Sequence, residues 1–131
     1  MLLLCGRTQL LAPLGVQNVY CRYLSVEPEP CIAFSRARRH VLDGVPLYAL
    51  HGHLDGRSSA AAKPGARIRK GEVIGRMGAE AENGGWPPHL HFQLSLEAPA
   101  THDMPGAVTE GDRRAALWAY PDPRFVLGPV Y

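Results

Sequence analysis

The chain of 131 residues carries 14 basic and 12 acidic side chains, which leaves a net charge of +2. This length fits one domain with a modest core, and the charge gives no excess that would recruit nucleic acid or an anionic membrane. The apolar runs are far shorter than the roughly 20 residues of a membrane-spanning helix. The 14 Gly and 12 Pro make up about a fifth of the chain, whereas their usual combined share is about 12%. We therefore expect a turn-rich, mainly β fold.

Residues 1–39 show no sustained periodicity, and we treat them as an unassigned N-terminal segment; that it is non-native to the fold is one interpretation. The run Glu27-Pro28-Glu29-Pro30 would interrupt a helix or a central strand. The three cysteines lie in this segment without Cys-x-x-Cys spacing, which argues against a disulfide framework and a zinc ribbon. The start has no basic region and no long apolar region, so we expect no export signal, which favours the cytoplasm.

A β-hairpin is predicted next, from His40 to Leu54, with its turn at Asp43-Gly44. Asp-Gly supplies the positive φ angles of a type I′ turn. Pro46 indicates that the second strand begins at a sheet edge. Strand alternation predicts that Val45, Leu47, Ala49, His51 and His53 share one face of the sheet.

Short elements follow the hairpin. Residues 55–59 are expected to form a loop before a stretch of alanines, and two short strands are expected around Ile68 and Val73-Ile74, joined by a turn at Lys70-Gly71. Residues 89–97 alternate most cleanly, which predicts a strand with Leu90, Phe92, Leu94 and Leu96 on the core and the remaining side chains on an open polar face. A short helix is expected at 111–120, within a Pro-rich C-terminal extension over 98–131.

The histidines form the main candidate site. His89 and His91 are two residues apart on a predicted strand, so their side chains project from one face with Cα atoms roughly 6.5–7 Å apart. Two imidazoles at that separation can hold one metal ion, or one can bind the metal while the other moves a proton. His51 and His53 form a second pair of the same spacing. Solvent-facing histidines on amphipathic strands are the alternative interpretation.

Three segments together resemble the lysostaphin/LytM-type zinc metallopeptidases, family twenty-three of the metallopeptidases. They are Leu47-Tyr48-Ala49-Leu50-His51-Gly52-His53-Leu54, the glycine-spaced stretch from Gly65 to Gly78, and Pro88-His89-Leu90-His91-Phe92-Gln93-Leu94. The resemblance covers residues 40–97, a peptidase-like core, and implies a small antiparallel β-sheet of the duplicated hybrid or barrel-sandwich type. The usual substrates of such enzymes are peptide cross-bridges of bacterial cell walls.

By this resemblance His91 matches a zinc ligand, and His89 and His53 match catalytic histidines that move the proton of the attacking water and act near the reacting carbonyl. Zinc would polarise the amide carbonyl and lower the pKa of water. The family's other two zinc ligands come from an upstream His-x-x-x-Asp motif. Because the first histidine of this chain is His40, that motif is absent, and the ligand set is expected to be incomplete.

The residues after 97 resemble those that follow a peptidase-like module in large bacterial polypeptides, where the module lies between phosphotransferase-like and aminotransferase domains.

Taken together, these resemblances predict a zinc metalloendopeptidase-family domain that is impaired or inactive and takes a peptide substrate if active. The alternative from another class is a non-catalytic module of the same fold that binds a peptide or a neighbouring domain. Two other families fit less well. The chain lacks the exposed hairpin lysine of a lipoyl or biotinyl carrier, and it lacks the second metal motif of a cupin.

Overall fold

The computed structural model describes residues 2–5, 9–11, 16–17, 36–61, 66–100 and 104–128. Cys21, Cys31 and the acidic-proline run at 27–30 lie outside these ranges, so the interpretations placed on them stay predictions. Strands dominate the described part, which confirms the prediction of a mainly β fold with a small antiparallel sheet.

The principal sheet has four antiparallel strands in the order β1-β8-β5-β4. Their bounds are β1 Leu2–Cys5, β4 Arg36–Leu42, β5 Val45–Gly52 and β8 His89–Ser95. The central strands, β5 and β8, pair along Tyr48–Gly52 and are flanked by β4 and β1. The candidate histidines are thus carried by the middle of the sheet.

The hairpin between β4 and β5 is confirmed. Its turn residues have left-handed φ angles, 50° at Asp43 and 82° at Gly44, as a type I′ turn requires. Strand β4 starts at Arg36 rather than His40. Pro46 pairs with Val41, ahead of the first contact between β5 and β8, so it lies where β5 has a partner on one side only.

Two smaller pairs complete the β structure. Strand β2, Gln9–Leu11, pairs with β7, Val73–Arg76, and β3, Val16–Gln17, pairs with β6, Arg67–Ile68. The strands predicted around Ile68 and Val73-Ile74 are therefore confirmed. Residues within 1–39 also form strands, although their sequence shows no alternation that predicts them. The division of the chain at residues 39 and 97 stays a prediction.

A helix replaces the loop predicted at 55–59. Helix α1 covers Gly56–Ala61, and it forms because the Asp55 carboxylate accepts a hydrogen bond from the Ser58 amide at 2.7 Å. An aspartate at this position satisfies an amide that a helix start otherwise leaves without a partner, and the following alanines favour the helix. The prediction of a loop was wrong because it overlooked this cap.

The C-terminal region adds two short helices, α2 at Arg113–Ala119 and α3 at Arg124–Leu127, and α2 confirms the helix expected at 111–120. A 3-10 turn also lies at Glu80–Glu82. Among the helices in the described ranges, none has the length and apolar character to cross a membrane.

One sheet face carries the apolar core. Residues that pair directly across antiparallel strands lie on the same face, and the register pairs Ala49 with Leu94 and His51 with Phe92. Val126 and Leu127 of α3 pack against this face. The buried core cluster comprises Leu47, Ala49, Leu54, Leu90, Phe92 and Leu94.

Candidate functional site

The polar face of β8 is buried from His91 onward, and this corrects the sequence-based expectation that the face is open to solvent. His91 exposes only 7% of its surface, and Gln93 and Ser95 are buried as well. The strand has neighbours on both sides, β1 and β5, and Gln93 donates to the Pro105 carbonyl at 3.0 Å. A segment distant in sequence thus covers the face that alternation alone assigned to water.

His53 lies with His89 and His91, as the resemblance implies. Its ring centroid is 4.1 Å from that of His89 and 6.3 Å from that of His91. We call these three side chains the histidine cluster. Two of its members come from β8 and the third from the residue that follows β5, so the fold brings together histidines that are far apart in the chain.

The backbone at His53 explains how its ring reaches the cluster. Strand β5 ends at Gly52, and His53 has a left-handed φ of 62°, a conformation uncommon for residues other than glycine. This bend breaks the alternation of β5 at the residue where the cluster begins. Left-handed residues outside turns occur preferentially at functional sites, which makes His53 a candidate on backbone grounds as well.

His51 does not join the cluster. It pairs with Phe92 and contacts that ring edge-on, with centroids 5.0 Å apart. His91 pairs with Gly52, so His51 and His91 lie on opposite faces of the sheet. The prediction that His51 and His53 share a face was therefore wrong, because it extended the alternation of β5 through the bend at His53.

Gly52 gives His91 its space. A Cβ atom added to this glycine would lie 3.2 Å from the Cβ of His91, closer than nine in ten Cβ contacts in proteins. The absence of a side chain at Gly52 therefore allows the β5 backbone to approach His91. The small residue between His51 and His53 is part of the site geometry.

His89 is held by the segment that precedes it. Its Nδ1 lies 2.7 Å from the Pro87 carbonyl oxygen. A carbonyl only accepts hydrogen bonds, so this contact requires a proton on Nδ1, and the neutral ring then keeps its lone pair on Nε2. His89 is half-buried, which leaves part of the ring accessible.

Asn83 anchors that same segment. It is fully buried, with 0% of its surface exposed. Its amide nitrogen donates to the Gly78 carbonyl at 3.3 Å and to the Pro87 carbonyl at 3.4 Å, while its oxygen accepts from the Trp86 amide at 3.1 Å. Sequence analysis missed Asn83 as a site residue, although the glycines that follow it signal a turn in which an asparagine side chain commonly bonds the backbone.

Gln93 orients His91 from the same strand. The Gln93 oxygen lies 3.4 Å from Nε2 of His91, and its amide nitrogen donates to Pro105. With the amide nitrogen engaged, the oxygen is the atom that faces His91, and this favours a proton on Nε2 of His91. Alternation placed Gln93 on the face of His91 but gave no signal of this contact.

The described residues do not fit a complete zinc site. Zinc in proteins takes four ligands in structural sites and three protein ligands with a water in catalytic ones. Within the described ranges no group of three or more His, Cys, Asp or Glu side chains is placed to hold a metal ion.

A further histidine, His40, faces the core rather than the cluster. It pairs with Leu47 in the hairpin and is buried. Burial and the charge of Arg38 lower the pKa of His40 from 6.5 to about 4. Its two ring nitrogens have no hydrogen-bond partner within the described residues. His40 is therefore neutral in the folded protein near neutral pH.

Comparison of the chain with protein-family models, curated proteins and solved structures finds no match. The likeness to LytM-type peptidases thus depends on the three sequence segments described above. The histidine cluster joins residues from two of those segments.

Proposed function

We propose that this chain is a LytM-type peptidase-like domain whose histidine cluster binds a peptide segment without hydrolysing it. The observation that carries the proposal is the meeting of His53, His89 and His91 at the end of the central strands, in a part of the chain that offers no three-ligand metal group. Three histidines are thus available to contact a ligand there, and no three-ligand metal group lies within the described residues.

The segment that precedes His89 supports a peptide as the ligand. Trp86 exposes 66% of its surface, and Pro87 is also exposed. The backbone before His89 is fixed by its prolines and by Asn83. An exposed aromatic ring three residues before His89 offers apolar contact area, and the imidazoles offer polar groups, to a bound peptide. A cell-wall-type cross-bridge peptide is the ligand that the family resemblance suggests.

Hydrolysis with zinc is the second candidate, and the same cluster favours it. His89 keeps an unprotonated Nε2 that could accept a proton from water. His53 would lie near a carbonyl bound at the cluster. If zinc binds, it would be held by His91 and would supply Lewis-acid polarisation of the amide. The remaining ligands would have to come from outside the described residues.

Zinc and peptide titrations separate the two candidates. Metal-free protein is titrated with zinc in a calorimeter and, separately, with peptides prepared from bacterial cell-wall cross-bridges. Trp118→Phe leaves Trp86 as the only tryptophan, so its fluorescence reports peptide binding. Binding that weakens at least tenfold in His89→Gln, without zinc and without cleavage, supports the proposal.

His51→Gln is the matched control. His51 belongs to a His-x-His pair, as His89 does, but it lies on the other face of the sheet. It should bind peptide as the unmodified chain does once its fold is verified by circular dichroism. One equivalent of tightly bound zinc with peptide cleavage would overturn the non-catalytic proposal in favour of the enzyme. Absence of both binding and cleavage would contradict both candidates.

A further inference from the structure

We infer that Asn83 is a positioning residue for His89, acting through the Pro87 carbonyl. This deepens the proposed function, since it rests on His89 being used at the cluster. The decisive observation is that one carbonyl oxygen accepts from both side chains: Nδ1 of His89 lies 2.7 Å from it and the Asn83 amide nitrogen 3.4 Å.

The amide of Asn83 uses its donor and acceptor groups on three backbone sites. It bonds Gly78 on one side of the loop and Trp86 and Pro87 on the other. These contacts join the start of the loop to the approach to β8. Because Asn83 is fully buried, water cannot readily replace the bonds if the side chain is removed.

The Pro87 carbonyl then sets the state of the His89 ring. A proton on Nδ1 is required by the short contact, so the basic nitrogen is Nε2, on the far side of the ring from Pro87. In a histidine the hydrogen bond at one nitrogen decides which nitrogen is available for chemistry. A carbonyl held in place by Asn83 therefore fixes both the rotation of the ring and its tautomer.

The neighbouring ring adds a reason for fixing this orientation. His53 packs against His89 with an angle of 41° between the ring planes. A half-turn of the His89 ring about its Cβ–Cγ bond would put Cδ2 in place of Nδ1 at the Pro87 carbonyl, which would break that bond and change this contact. Asn83 thus acts on the cluster from outside it, without touching a bound peptide.

Nitrogen-15 NMR of the histidine rings tests the inference. At pH 8.5, where ordinary imidazoles are neutral, the unmodified chain should show His89 with its proton on Nδ1. Asn83→Asp keeps an acceptor for the Trp86 amide but loses the donors to Gly78 and Pro87. We expect this variant to lose the Nδ1–H preference of His89 and to bind peptide at least fivefold more weakly.

Ser95→Ala is the control. Ser95 is buried as Asn83 is and lies on β8 with His89, but its hydroxyl donates to the Glu97 carbonyl instead of acting on Pro87. It should leave the His89 signals unchanged. A proton on Nε2 in the unmodified chain, or unchanged His89 signals in Asn83→Asp, would overturn the inference. Failure of Asn83→Asp to fold would also overturn it, by showing a purely structural role. The NMR result does not depend on peptide binding, so failure of the proposed function is recognised separately.

Discussion

Strand β8 and helix α2 follow one another along the chain, yet β8 buries its large apolar side chains whereas α2 exposes them. Phe92 on β8 exposes 2% of its surface, whereas Trp118 on α2 exposes 79%, and α2 buries none of its residues. The central strand has partners at both edges and cover on both faces. The end of α2 is tied to the chain after β8 by a hydrogen bond from the Leu96 amide to the Ala119 carbonyl at 2.8 Å.

The contrast between β8 and α2 locates the apolar burial that stabilises the fold. Burial of apolar surface contributes roughly 25 cal/mol per Å², and the buried core cluster lies on β5, β8 and the residues just after β5. Helix α2 contributes little apolar burial. Two members of the histidine cluster lie on β8 and the third follows β5, so the candidate site is carried by the strands that hold this buried core.

The largest expected effect is on Phe92. We expect Phe92→Ala to lower the free energy of unfolding by about 3–5 kcal/mol, the usual range for removal of a buried aromatic ring. The variant would also lose the contact with His51. Urea denaturation followed by circular dichroism measures the change.

Phe125→Ala is its matched control, because Phe125 is a phenylalanine on α3 that exposes 84% of its surface. A surface substitution of this kind should change the free energy of unfolding by no more than about 0.5 kcal/mol. Equal losses at the two positions would contradict the contrast between the strands and the C-terminal helices.

The second effect is a dependence of stability on pH that originates at His40. Its pKa is lowered to about 4 in the folded state, whereas the unfolded chain takes up the proton near pH 6.5. The stabilisation is therefore complete above pH 6.5 and is lost as the pH falls towards 4. Linkage gives a total loss of roughly 2–4 kcal/mol.

Denaturation of the unmodified chain and of His40→Leu at several pH values checks this. Leucine cannot take up a proton, so the difference in stability between the two chains should shift in favour of the variant as the pH falls from 6.5 to 4. A difference that stays constant over this range would show that His40 is not the responsible group.

The smallest effect is expected on α2. Trp118→Ser should change the free energy of unfolding by at most about 0.5 kcal/mol, because the ring is largely solvated in the folded state. Urea denaturation followed by circular dichroism, which does not depend on the tryptophan, provides the measurement. A loss above about 1 kcal/mol would mean that Trp118 packs against the rest of the chain and that the contrast is overstated.

Local chemistry made much of the fold predictable. The Asp43-Gly44 pair selects its turn by backbone geometry, and the alternation from His89 identifies β8. The helix cap at Asp55 is also a local feature, but the residues that follow it are typical of loops, and they favoured the wrong prediction. Long-range contacts were not predictable: the cover on Gln93 comes from Pro105.

The candidate site was predictable in part. The His-x-His spacing and the family resemblance single out His53, His89 and His91, and the structure brings these together. The exclusion of His51 was not predictable, because it depends on the left-handed bend at His53. Their chemical roles stay predictions.

The length of β5 is a determinant of the site in its own right. Counting from the turn at Asp43-Gly44, the strand delivers Gly52 opposite His91. An insertion of one residue within β5 would place the histidine at position 51 opposite His91, where even a Cβ atom lies only 3.2 Å from the Cβ of His91. It would also send the following side chains to the other side of the sheet. Homologous chains that share this site should therefore tolerate changes of residue in the hairpin far better than changes in its number of residues.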